Sequence, residues 1–171
     1  GVAISIPREP VLSYEGADLL DAADAMNAAF LESGWSDGFP LRPATAELVD
    51  AMVAGTSRER DSVVAVLEPG FGLATVEKIA VNAVMAGCRP EHLPVIIAAI
   101  EALADPRMYL RTKAMSTGPA APLVLVNGPI VDRIGINTGV CALGPGSTSY
   151  VNSVIGRAVR LCMMNVGHTY P

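Results

Sequence analysis

Three polar residues interrupt an apolar run in the segment ATVEKIAVNAVMAGC, residues 74–88. At 100° per residue, Glu77, Lys78 and Asn82 share one arc of a helix, and small apolar residues occupy the other. A carboxyl group, an amine and an amide on one face are suited to acid–base chemistry. Glu77 would transfer the proton, Lys78 would hold an anion or carbonyl group, and Asn82 would orient the substrate. The pattern predicts that this face lines a polar pocket, and a simple water-exposed helix face is the alternative.

Cys88 is the last residue of this segment, and His92 lies four residues later. A neighbouring imidazolium lowers the pKa of a thiol, so Cys88 is a candidate catalytic nucleophile. The alternative is that Cys88 is a small buried apolar residue at a helix end. Neither HxH nor HExxH spacing occurs, so no metal site is predicted.

Glycine-rich segments offer a second set of candidates, for substrate binding. In LVLVNGP, Asn127 lies at the end of a predicted strand, the place where ligands gather in open α/β sheets. In GPGSTSYVNS, Gly144 and Gly146 allow close backbone approach to a ligand, and Ser147 supplies a hydroxyl donor. These residues precede a predicted helix, whose N-terminus favours an anion. An ordinary helix entry has the same composition and is the alternative.

Two arginines, Arg157 and Arg160, lie one to two turns inside that last helix. Either could reach back to the same anion, and a solvated arginine is the alternative for each. Neither a phosphate-binding GxxxxGK[ST] loop nor a dinucleotide fingerprint is present, so no cofactor is predicted.

Hydrophobic periodicity defines the elements that must position these groups. Helical spacing and capping residues predict five helices, at residues 16–32, 45–54, 74–88, 91–103 and 150–165.

Strands are predicted from β-branched and aliphatic runs. The run at 62–69 indicates a buried strand, 122–130 a second, and 109–117 a further one. The expected fold class is α/β, a single compact domain with a small central sheet and about five helices; α+β is the alternative. The domain spans residues 1–171, with 1–15 as an extended N-terminal arm.

The composition limits the classes of partner. Apolar residues make up 51% of the 171 residues and charged residues 17%, with a net charge of −5. So few charges predict surface hidden in a homo-oligomer or hetero-oligomer. Basic clusters that could follow a phosphate backbone are missing, which argues against nucleic acid, and no apolar run reaches the length of a membrane span. Three cysteines without CxxC spacing, and no secretory signal, predict a reduced, cytoplasmic protein.

Five segments together carry a family resemblance: WSDGFP, ATVEKIAVNAVMAGCRPEHLPV, APLVLVNGP, GINTG and GPGSTSYVNSVIGRAVRL. Across about residues 35–167 the chain resembles a bacterial family that occurs beside, or fused to, thiol- or selenol-bearing proteins of the UGSC type. The resemblance implies a shared pocket and a thiol- or selenol-bearing partner. The positions that match the family are Glu77, Lys78, Asn82, Cys88, Asn127, Gly144, Gly146, Asn152 and Arg157.

Three functions are compatible with these features. The first is a small-molecule enzyme, of hydrolase or lyase type, that uses Glu77 and Lys78 in acid–base chemistry on a small anionic or carbonyl substrate. The second is a non-catalytic binding or scaffolding subunit of a complex with the thiol- or selenol-bearing protein. The third is a redox protein that depends on Cys88.

Overall fold

A computed structural model describes residues 12–118, 121–142 and 149–169. These residues form a compact mixed α/β fold, as predicted, with seven α-helices and a two-stranded antiparallel sheet in the described ranges. The helices are α1 (Leu19–Glu32), α2 (Ala46–Val53), α3 (Val76–Met85), α4 (Leu93–Leu103), α5 (Leu110–Ala114), α6 (Ile130–Ile134) and α7 (Val151–Asn165), and the strands are β1 (Val63–Leu67) and β2 (Gly72–Thr75).

The central helix is α3, within the predicted range 74–88. The Thr75 side chain accepts a hydrogen bond from the Lys78 amide, which caps the first turn, and Glu77 lies in that turn, where the helix dipole favours a carboxylate. The helix ends before Gly87, whose φ of +87° suits a residue without a Cβ. Helices α2, α4 and α7 all pack against α3, so most of its circumference is buried.

The longest helix, α7, forms the other half of the core. Ala158, Leu161 and Cys162 are fully buried on its apolar side, at the helical spacing that the sequence shows. The five predicted helices correspond to α1, α2, α3, α4 and α7, so all five are confirmed. Among the helices of the described residues, none combines the length and the hydropathy that a membrane span requires.

The sheet is a hairpin that precedes α3. Strand β1 lies inside the predicted run 62–69, and it pairs with β2 so that Leu67 faces Gly72. Strand β2 was not predicted, because its four residues lack β-branched enrichment. Gly72 is required at this position: a Cβ there would lie 1.9 Å from the carbonyl oxygen of Val166.

Two predicted strands are wrong. Residues 109–117 contain the short helix α5, and residues 122–130 contain no strand, although α6 begins at Ile130. The apolar run Leu123–Val126 has strand-like composition, but no neighbouring segment in the described chain pairs with it. Composition alone does not supply a pairing partner.

The predicted N-terminal arm lies mostly outside the described residues, which begin at residue 12. Inside them, the Tyr14 ring meets the Phe30 ring edge to face with centroids 6.0 Å apart. The end of the arm thus lies against α1.

Candidate functional site

The predicted catalytic pair, Glu77 and Lys78, lies at the start of α3. The Glu77 carboxylate accepts a hydrogen bond of 2.5 Å from the Arg60 guanidinium, which also pairs with Asp50 of α2. Lys78 is exposed. These contacts give Glu77 a structural partner, and they connect the loop before β1 to α2 and α3.

Asn82 is buried, with 4% of its surface exposed, and it does not face a cleft. Its amide nitrogen donates to the carbonyl of Lys78, and its amide oxygen accepts from Asn165 of α7 at 2.8 Å. Asn165 donates also to the carbonyl of Trp35. The predicted polar face of α3 is therefore covered by α7 beyond its first turn, and Asn82 serves a buried interhelical hydrogen bond.

Cys88 is 1% exposed, and its thiol donates to the carbonyl of Val154 at 3.3 Å. Burial raises the pKa of the Cys88 thiol to about 12, although the positive charge of Arg157 partly opposes this shift. The neutral thiol therefore dominates near neutral pH, which is the state of a structural cysteine and not of a nucleophile.

His92 is fully buried, and its Nδ1 accepts from the Arg89 amide at 3.1 Å. Its Nε2 forms no hydrogen bond in the described chain, and its ring meets the Tyr150 ring edge to face. No hydrogen bond joins His92 to Cys88 among the described contacts, so the residues do not form a nucleophile–base pair. Burial lowers the pKa of His92.

The glycine loop candidates are only partly described. Gly144, Gly146 and Ser147 lie outside the described residues. Asn127 is exposed at the end of an irregular segment. Asn152, on the first turn of α7, accepts from the Asn137 amide and donates to the carbonyls of Asn137 and Ala142, so it holds the GINTG loop against α7.

Arg157, a predicted binding residue, lines a cleft. Its guanidinium forms two hydrogen bonds with Asp37, at 2.6 and 2.8 Å, and it donates to the carbonyls of Phe39 and Pro40. The side chains of Arg157 and Asp37 are 21% and 11% exposed. The paired, planar geometry fixes the loop at residues 36–40 against α7.

A cleft of about 810 Å³ opens between this loop and α7. We call it the Arg157 cleft. Four of its residues, at positions 153, 157, 160 and 164, recur at spacings of four, three and four along one face of α7. Its lining consists of Ser36, Asp37, Phe39, Pro40, Ala86, Ser153, Val154, Arg157, Arg160 and Met164. The lining is mostly apolar, with a few polar groups that could orient a ligand.

Positive charge dominates the polar part of the Arg157 cleft. Burial alone would raise the pKa of Asp37, but the hydrogen bonds and charge of Arg157, with the Phe39 amide, outweigh it and hold that pKa below its ordinary value. Asp37 is therefore ionised near neutral pH and neutralises Arg157. The charge of Arg160 remains, because its one hydrogen bond in the described chain is a 3.5 Å contact with the carbonyl of Thr169.

Sequence reasoning missed Asp37, Phe39 and Ser153. The segment WSDGFP contributes only to the family resemblance, although its Asp and aromatic residue are types that bind an arginine. Ser153 could have been found from its four-residue spacing to Arg157. The structure does not bring Arg157 together in one cleft with Glu77 and Lys78, since neither residue lines it.

No group of three or more His, Cys, Asp or Glu side chains in the described ranges is placed to hold a metal ion. Comparison of the chain with protein-family models, with curated proteins and with solved structures returned no match. The resemblance to the family associated with UGSC-type proteins therefore stays a prediction.

Proposed function

We propose that the protein binds a small organic anion in the Arg157 cleft, with the apolar part of the ligand against Phe39 and Met164 and its charged head near Arg160. The observation that carries this proposal is the combination of an open cleft of about 810 Å³ with an arginine that lacks an acidic partner among the described residues. Clefts of roughly 300–1,000 Å³ with apolar walls and few polar groups are typical small-molecule sites.

The donors left over in the cleft support an anionic head group. The Nη1 atom of Arg157 forms no hydrogen bond within the described chain, and the Ser153 side chain is exposed at the same face of α7. Arg160 lies three residues from Arg157, so both guanidinium groups lie on one side of the helix. A carboxylate could accept from two of these groups at once.

The cleft favours binding over turnover. Asp37 is held ionised by Arg157, which makes it a poor proton donor, and Glu77 is engaged by Arg60. A hydrolase or lyase reaction through Glu77 and Lys78 stays a prediction, which a Glu77→Gln variant would test once a ligand is known. The Cys88 redox alternative is disfavoured by the raised thiol pKa.

The test is calorimetric titration with hexanoate and with its neutral analogue hexanamide. We expect hexanoate to bind more tightly, and Arg160→Gln to weaken its binding by roughly tenfold, the size of one charge-assisted hydrogen bond. The matched control is Arg58→Gln, which removes an equal charge from an exposed pair with Glu101 and leaves the cleft intact. Equal affinity for hexanoate and hexanamide, or for wild type and Arg160→Gln, would refute the proposal.

A second candidate function is a scaffolding subunit that docks on a thiol- or selenol-bearing protein. The exposed leucines of α1 favour it, since Leu19, Leu20 and Leu31 expose 86%, 71% and 59% of their surface. Sedimentation velocity of the chain mixed with a purified UGSC-type protein would test it. A complex that forms with wild type and is lost in a Leu20→Ser/Leu31→Ser variant supports the subunit, and two separate boundaries with wild type exclude it.

A further inference from the structure

Residues 121–127, which we call the edge segment, leave their main chain unpaired. None of the seven C=O groups, and none of the six N–H groups that remain beside Pro122, forms a hydrogen bond in the described chain. Main-chain groups in folded proteins are nearly always paired, by the protein or by water. An unpaired run of this length offers its donors and acceptors to another segment.

Burial along the edge segment alternates as it does in a strand. Val124 and Val126 are half-buried against the hydrophobic core, whereas Leu123 and Leu125 expose 67% and 82% of their surface. A period of two is the side-chain period of extended chain. The segment therefore has the composition, the alternation and the free main chain of a strand without a partner.

Pro122 selects which edge of the segment can pair. Alternate residues of a strand direct their N–H and C=O groups to opposite edges. The edge of the even-numbered residues includes Pro122, which has no N–H, whereas the edge of residues 121, 123, 125 and 127 retains every donor. Pairing is expected along the odd-numbered edge.

The charge distribution is compatible with a second copy of this chain as the occupant and favours it over a charged partner surface. The chain carries a net charge of −5, yet no charged residue occurs from Ser116 to Val131. Two copies can approach through this stretch without placing like charges opposite one another. The stretch is also self-complementary, because antiparallel pairing centred on Val124 sets Leu123 opposite Leu125 of the second copy.

We infer that the protein forms a homodimer in which two edge segments pair as antiparallel strands about a two-fold axis at Val124. Residues 121, 123, 125 and 127 of one copy lie opposite residues 127, 125, 123 and 121 of the other. These four hydrogen-bonded pairs supply about eight main-chain hydrogen bonds. The two hairpins stay separate, and a new two-stranded sheet joins the copies.

Cysteine cross-linking tests the register, in a Cys141→Ser background that removes the exposed native thiol. Val124→Cys should form a disulfide-linked dimer under glutathione disulfide, because Cα atoms of a non-hydrogen-bonded pair lie about 4.5 Å apart. Val126→Cys is the matched control: its two copies would lie about 14 Å apart along the strands, at 3.4 Å per residue. Equal cross-linking of the two variants would overturn the inferred register.

Sedimentation equilibrium tests the pairing itself. Leu125→Pro removes one donor from each copy and should raise the dimer dissociation constant about 100-fold, whereas Leu125→Ala keeps the donor and should raise it about fivefold at most. Since Leu125 has no described hydrogen bond, both variants should keep the circular dichroism spectrum of wild type. A monomeric wild type at high concentration, or an unchanged dissociation constant in Leu125→Pro, would overturn the inference. If wild type is monomeric, the partner of the edge segment would instead be a strand of a different protein.

Discussion

The ion pair between Arg157 and Asp37 makes a strong prediction about stability. Arg157→Leu removes two hydrogen bonds to the Asp37 carboxylate and the donors to two loop carbonyls. Asp37 is 11% exposed, so it would keep a charge with little solvent and no counter-ion. Removal of one partner of a buried pair costs about 3–5 kcal/mol, and the 21% exposure of Arg157 favours the lower end, about 3 kcal/mol.

The assay is thermal unfolding followed by circular dichroism. For a domain of this size, 1 kcal/mol shifts Tm by about 2–4 °C, so Arg157→Leu should lower Tm by about 6–12 °C. The control is the double variant Asp37→Asn/Arg157→Leu, which also removes the carboxylate charge that Arg157→Leu leaves unpaired. It should recover about 1–3 kcal/mol relative to the sum of the two single variants.

The stability contribution of the Arg157–Asp37 pair should depend on pH in a defined direction. Because the pKa of Asp37 is lowered in the folded state, its contribution to stability is fully present above the ordinary carboxyl pKa of 3.8. That contribution is lost as the pH falls through the folded value. The gap between wild type and Arg157→Leu should therefore close in acid. A Tm change under about 2 °C at pH 7, or a strictly additive double variant, would refute a stabilising role for the pair.

Three further perturbations have expected outcomes. Gly72→Ala should lower the free energy of unfolding, measured in urea, by more than about 1 kcal/mol, because the added Cβ clashes with the carbonyl of Val166. Gly156→Ala is the control: its Cβ would lie in open space on α7, and it should raise the free energy of unfolding by about 0.5–1 kcal/mol. Equal effects of the two substitutions would contradict the close approach at Gly72. Iodoacetamide labelling and mass mapping at pH 8 should modify the exposed Cys141 at once and Cys88 only after unfolding; rapid native labelling of Cys88 would show an accessible thiolate. Burial lowers the pKa of His92 in the folded state, so the His92 contribution to stability should be complete above the unfolded pKa of about 6.5 and should fall as the pH drops below that value. His92→Asn should flatten this pH dependence of the unfolding free energy. An unchanged slope in His92→Asn would exclude His92 as the source of the dependence.

Local patterns predicted the helices well. Helix α3 has its capping Thr75, its acidic first turn and its Gly87 stop within the segment itself, and these short-range signals suffice to place it. Helical spacing likewise predicted α7, whose apolar side is buried in the structure. Such features depend on residues one to four positions apart, which a sequence displays directly.

The roles of polar residues were predicted less well. The sequence predicts Asn82 and Cys88 as pocket groups because no residue of their own segment covers them. In the structure they are covered by α7, which lies more than sixty residues later in the chain. The residues around Leu123 and Leu125 have the composition of a strand, but a strand also needs a segment to pair with, and composition does not identify one.

By itself, then, the sequence determined the long helices, their buried faces and the scarcity of charge, because helix periodicity and capping are local. Only the tertiary structure decided which polar groups are enclosed and which line a cleft. It joined Asp37 to Arg157 across 120 residues, buried Cys88 beneath α7 and left the edge segment without a neighbour. Contacts between distant segments depend on how elements pack, and residue spacing within one segment carries no record of that packing.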